Sequence, residues 1–150
     1  MQCRIGLDDT DHVEFGCTTA TFDHLLTEIC QSMHCNVIER RLVRLWPFAR
    51  RRTRGNGALG AILDIPDDGA EKLEEICNKW FCKLLDQVAN HPPSEFPASP
   101  CLVISLEPTP DSWYWDAVRK HVDSRTLLED ATQKCLKVFR SETTFGVVGA

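Results

Sequence analysis

Residues Ile5 to Phe22 read IGLDDTDHVEFGCTTATF: an apolar strand end, three carboxylates within four positions, a glycine, and hydroxyls at the mouth of a helical pattern. The strand reading starts upstream, at QCRIGLD over residues 2–8. The helix reading runs from Thr18 to about Met33, because Phe22, Leu25, Leu26, Ile29, Cys30 and Met33 recur at helical spacing. Thr18 or Thr19 is placed to cap that helix, since a hydroxyl oxygen can accept from the unpaired N–H groups of a first turn. The acid cluster therefore sits at a strand-to-helix junction. There Asp8, Asp9 and Asp11 can converge as the backbone bends away from the strand.

The same alternation continues downstream. NVIERRLVRLW, residues 36–46, has strand composition and ends at Pro47. TRGNG, residues 53–57, is a glycine-rich turn, and GALGAILDI after it reads as a strand buried on at least one face. Asp67 and Asp68 stand where helix caps belong. Leu73, Ile76, Cys77, Trp80, Phe81, Leu84, Leu85 and Val88 form a broad apolar stripe behind them. HPPSEFPASP, residues 91–100, is a loop; CLVISLE is a strand; residues 112–122 and 126–140 read as helices. The order β-α-β-β-α-β, with helices after strands one and three, predicts an α+β fold, a layered α/β arrangement on a mixed sheet.

Composition narrows the function classes. With 43% hydrophobic and 26% charged residues among 150, the chain has the makeup of a soluble globular protein. No apolar run approaches membrane-spanning length and no signal-peptide core opens the chain, so a cytoplasmic location is expected, with no membrane partner. The eight cysteines include no C-x-x-C pair, which favours reduced, mostly buried thiols over disulfides or structural zinc. Net charge is −5, yet residues 40–54 contain seven arginines and no acid, leaving −12 for the rest. Such a chain is no general nucleic-acid coat, but its basic strip can grip phosphates locally.

Three features carry chemistry. Clustered carboxylates repel and raise one another's pKa, and a divalent cation removes that cost; Mg²⁺ takes one or two carboxylates and fills its other positions with water and phosphate. A solvated turn is the plain alternative for Asp8, Asp9 and Asp11. Next, Gly16 permits a tight turn before Thr18 and Thr19, whose helix N-terminus offers free N–H groups to a phosphate. Finally, Gly55, Asn56 and Gly57 can form an anion-binding nest beside the guanidinium fork of Arg54, although Asn-Gly also simply joins strands. Together they suit a nucleoside triphosphate with Mg²⁺.

IGLDDTD, GCTT, RLVRL, TRGNGA and GVVGA, in this order, resemble the N-terminal half of the archaeal agmatidine synthetases. The resemblance covers the first 60 or so residues and returns at residues 145–150. It implies a kinase-like ATP- and Mg²⁺-binding module over residues 1–66, a ferredoxin-like or inserted α/β part over 67–140, and a return to the kinase-like part over 141–150. It further implies a longer parent protein that attaches agmatine to the wobble cytidine of an isoleucine tRNA using ATP. In that family a threonine of the Cys-Thr-Thr motif accepts a phosphoryl group, and Thr18 holds its place. Asp8, Asp9, Thr10 and Asp11 take the metal- and phosphate-handling positions; by its own chemistry Asp9 or Asp11 can also act as the base for the Thr18 hydroxyl. Thr10, Cys17, Thr19 and the run Thr53, Arg54, Gly55, Asn56 and Gly57 take the ATP-binding ones. The chain departs from the family at Leu45-Trp46-Pro47-Phe48, where Leu-Asn-Pro is usual, at His12 in place of serine, and at Gly16 in place of methionine. A non-catalytic nucleotide- or RNA-binding module and a stand-alone kinase or ligase of a small substrate are the competing readings.

Overall fold

The computed structural model describes residues 1–52 and 55–150. Strand β1 spans Gln2–Asp8, helix α1 Thr18–Ser32, β2 Asn36–Arg44, β3 Gly57–Asp64 and α2 Ala70–Ala89. Then follow β4 Cys101–Ser105, α3 Asp111–Arg119, α4 Ser124–Gln133, β5 Lys137–Arg140 and a 3-10 turn at Phe145–Val148. The described residues form a five-stranded sheet in the order β2-β3-β1-β4-β5. The α+β class holds, but each of the four pairings is antiparallel rather than mixed. The reason is topological. The crossover through α1 skips the place taken by β3, and the crossover through α2 skips the place taken by β1, so like-directed strands never become neighbours.

Period-two alternation sorts the side chains. Cys3, Ile5 and Leu7 of β1 face the helices with Leu59, Ala61 and Leu63 of β3 and Leu102 and Ile104 of β4. Phe22, Leu25, Leu26 and Ile29 of α1 close over them, as do Leu73, Cys77, Trp80, Phe81 and Leu84 of α2. Cys101 and Val103 face the other way, into a smaller cluster with Val147, Leu127 and Leu128. All eight cysteines, each among the described residues, are free thiols. No helix among the described residues is long and apolar enough to cross a membrane.

Three local expectations differ from the structure. Cys17, not a threonine, is the N-cap of α1, and it makes no side-chain cap bond. Thr18 is already inside the helix and spends its hydroxyl elsewhere. Gly69 caps α2, while Asp67 instead accepts from the N-terminal amine at 3.1 Å. The helix expected over 126–140 stops at Gln133. Cys135 takes the left-handed conformation, φ 58°, and Leu136 N–H returns to the Ala131 carbonyl at 3.0 Å. That break releases Lys137–Arg140 to pair with β4.

Candidate active site

β1 delivers Asp8 to the end of the sheet, and Asp9 then turns the chain with φ 55°. This left-handed residue ends the strand alternation and separates the acids. Asp8 and Asp9 line a cavity of about 410 Å³, whereas Asp11 lines an adjoining one of about 360 Å³. Among the described residues, no three His, Cys, Asp or Glu side chains form a metal-holding group. Asp11 nevertheless lies near enough for its charge to push Asp8 and Asp9 upward.

The smaller cavity holds the hydroxyl chemistry. Thr18, 6% exposed, donates through Oγ1 to Asp11 Oδ1 at 3.0 Å. Thr10, also buried, donates to Thr18 Oγ1 at 3.1 Å. The Thr18 oxygen is thus held between a donor and a carboxylate. Gly16, φ 82°, makes the turn that brings this helix start back; a β-carbon there would lie 3.3 Å from Asp11 Cβ. Cys17, Thr18, Thr19, Leu42, Arg44, Gly55, Asn56 and Gly57 complete the lining with Asp11 and Gly16. Cys17 is exposed, and the N–H of Ala20, helped by that of Thr19, draws its thiol below the ordinary range.

The larger cavity is more aromatic and more charged. Burial pushes the Asp8 carboxyl well up, and the neighbouring Asp9 charge adds to this. Burial also raises Asp9, but the Arg51 guanidinium opposes it, donating to Asp9 Oδ2 at 3.1 Å. Arg51 also donates to the Pro97 carbonyl and sits 4.5 Å from the centre of the Phe145 ring. One guanidinium therefore ties the 45–52 loop to β1's end, the 91–100 loop and the C-terminal turn. Trp46, Phe96, Lys120, His121, Asp123 and Ser124 line the same space.

Asn56 and Gly57 border both cavities. Asn56 has φ 40°, and its side-chain amide donates to the Trp46 carbonyl at 2.8 Å while Leu45 N–H donates to the Asn56 carbonyl at 2.9 Å. Arg44 donates to the Gly55 carbonyl from below the turn. Thr53 and Arg54, assigned to the same turn from the sequence, lie outside the described residues.

The sequence does not distinguish Arg51 from the six other arginines of residues 40–54. His12 is buried, stacked on Phe15 at 4.4 Å between ring centres, and accepts at Nδ1 from Glu14 N–H at 3.2 Å.

The fold has known counterparts. Residues 4–64 match the model of the TiaS TCKD domain. Over these 61 of 150 residues the chain resembles the TiaS family. The isoleucine-tRNA 2-agmatinylcytidine synthetase TiaS from Thermoplasma volcanium is 28% identical over 97% of this chain and 36% of its own length. The protein of the same name from Caldivirga maquilingensis is 32% identical over 76% of this chain and 26% of its own. Among solved structures, a complex of TiaS with an isoleucine tRNA and ATP matches with a TM-score of 0.82 at 23% identity, and apo TiaS with 0.77 at 22%. Each match covers 100% of this chain, which in turn covers 35% and 34% of them. At these identities the structural likeness establishes the fold. The chain spans about a third or less of the length of the TiaS proteins it matches.

Proposed function

We propose that this chain is the ATP-handling part of a tRNA-modifying synthetase that attaches agmatine to the wobble cytidine of an isoleucine tRNA, with Thr18 accepting a phosphoryl group. The hydrogen bond from the Thr18 hydroxyl to Asp11 carries the proposal. Thr18 Oγ1 attacks the γ-phosphorus of ATP, Asp11 takes the hydroxyl proton, and the bond from the γ-phosphorus to its bridging oxygen breaks, releasing ADP. Thr10, donating to the same oxygen, fixes the direction of attack. The N–H groups of Thr19 and its neighbours at the start of α1, with the Gly55–Gly57 backbone opposite, supply donors for the phosphate oxygens.

Asp8 and Asp9 suit Mg²⁺. They are adjacent, face one cavity, and both carry carboxyl pKa values raised by burial, a cost that a cation relieves. Bound there, the ion would neutralise charge on the phosphates. Asp11, engaged with Thr18, is then the base rather than a third ligand. The tRNA and agmatine belong to the whole synthetase; a relative whose complex is described with an isoleucine tRNA, AMPCPP and agmatine supports them as partners here.

The test is transfer of label from γ-labelled ATP to the purified chain with Mg²⁺. Label on the parent that Thr18→Ala and Asp11→Asn both lose supports the assignment. Label persisting on Thr18→Ala would remove Thr18 as acceptor. Absence of both label and calorimetric ATP binding would overturn the ATP reading for this chain.

A further inference from the structure

Phe48 stands out on the surface. The residue is 76% exposed, on a loop that runs on into Arg50, Arg51 and Arg52. The ring meets Trp46 edge to face, with centres 5.9 Å apart, and Trp46 meets His121 in the same way at 6.3 Å. Trp46 and His121 line the larger cavity, so the three rings form a ledge running from solvent to its wall. Arg50 and Arg52 are on the same loop, and Lys120 is exposed beside His121. The acids near these cations are weakly engaged: Glu95 approaches Arg50 at 3.8 Å and Asp116 approaches Lys120 at 3.0 Å, both pairs open to solvent. This is a basic, aromatic rim on an otherwise acidic protein.

We propose that the Phe48–Trp46 ledge, with Arg50, Arg52 and Lys120 around it, is a docking platform for single-stranded RNA, which stacks a base on Phe48 and lays its phosphates on the cations. The choice of RNA rests on the proposed function; the platform itself rests on ring exposure and charge. A flat aromatic face flanked by guanidinium groups suits an unpaired nucleotide, whose base needs a stacking partner and whose phosphate needs a cation. An apolar protein segment would gain nothing from the ring of positive charge.

The experiment is fluorescence anisotropy of a labelled, unstructured RNA about eight nucleotides long, with parent, Phe48→Ala, Phe48→Trp and Arg50→Gln chains across a salt series. Phe48→Ala should weaken binding about 5- to 100-fold and Phe48→Trp should restore it. Arg50→Gln should lower the slope of log affinity against log salt by about 0.7. Phosphate transfer from ATP by Phe48→Ala should equal that of the parent, so the two proposals fail separately. No RNA binding by the parent, or equal binding by Phe48→Ala, overturns the inference. A Phe48-dependent dimer in sedimentation, without RNA affinity, would make the ledge a protein contact and overturn it too.

Discussion

Gly149 lies so close against the Asp8 carboxyl that a β-carbon at this position would be 2.6 Å from Asp8 Cγ and 2.6 Å from Ala58 Cβ. The C-terminal turn therefore walls the acid at the end of β1, and the fit requires glycine for space rather than for φ. Gly149→Ala should destabilise the chain by about 1–3 kcal/mol, because neither β1 nor β3 can retreat from the sheet. Gly60→Ala, in β3, is the control: its nearest neighbour would be the Ile5 carbonyl oxygen at an ordinary 3.5 Å. Urea midpoints that fall equally for the two variants would show that the close approach to Asp8 has no energetic consequence.

The pH dependence follows from the same acid. Burial raises the Asp8 carboxyl in the folded chain, so folding takes up a proton that the unfolded chain has released. The stability tied to this group is fully present below about pH 4, the ordinary aspartate range, and is lost as pH rises through the folded value. Asp8→Asn removes that dependence. Relative to the parent, its urea midpoint should be higher at pH 7 and the gap should narrow as pH falls toward 4. A gap that is constant across pH would contradict the burial of this charge.

Cys17 should be the first thiol to react. It is exposed, sits at the N-cap of α1, and has its pKa lowered by the N–H groups of Ala20 and Thr19. Burial pushes Cys3 up to about 11 and Cys77 to about 12, which leaves them protonated and inert. Brief iodoacetamide treatment near pH 7 followed by peptide mass mapping should find Cys17 labelled ahead of the others. Because Cys17 lines the cavity that holds Thr18, the modified chain should also lose phosphate transfer. Earlier labelling of Cys30, Cys82 or Cys135 would count against the helix-terminus effect.

Residues whose patterning is local were legible in the sequence. Strand composition over residues 2–8, 36–46, 57–65 and 101–107 and the apolar stripes of α1 and α2 marked out the four strands and two helices of the split β-α-β core, because burial of one helix face imposes a period. β5 escaped because KVFR is four residues long and follows α4 without a glycine or proline; the break lies at Cys135, where a left-handed non-glycine leaves no signal. The antiparallel sheet escaped because strand order depends on which strand fills each crossover. At the site, the Thr18 hydroxyl and Asp11 could be named from their motifs. Their hydrogen bond depends on the Gly16 turn, and the separation of Asp11 from Asp8 and Asp9 depends on φ at Asp9. The selection of Arg51 among seven arginines depends on a loop path that its own sequence does not encode.

Arg51 makes the sharpest case for a residue that joins structure to site. Its guanidinium reaches Asp9 Oδ2, the Pro97 carbonyl and the Phe145 ring, and its side chain is 20% exposed. Arg51→Met keeps much of the apolar stem but leaves the Asp9 carboxylate half-buried without its cation. That loss of a charge-assisted bond should cost about 1.5–3 kcal/mol. Without the guanidinium's downward influence, the Asp9 pKa should rise further, so the stability difference should shrink as pH falls and Asp9 becomes neutral. Arg51→Lys restores charge but not the fork, and should recover only part of the loss. If Arg51→Met matches the parent in urea midpoint at pH 7, the three contacts are incidental. If it is destabilised equally at pH 4 and pH 7, the loss comes from packing against Phe145 rather than from the pair with Asp9.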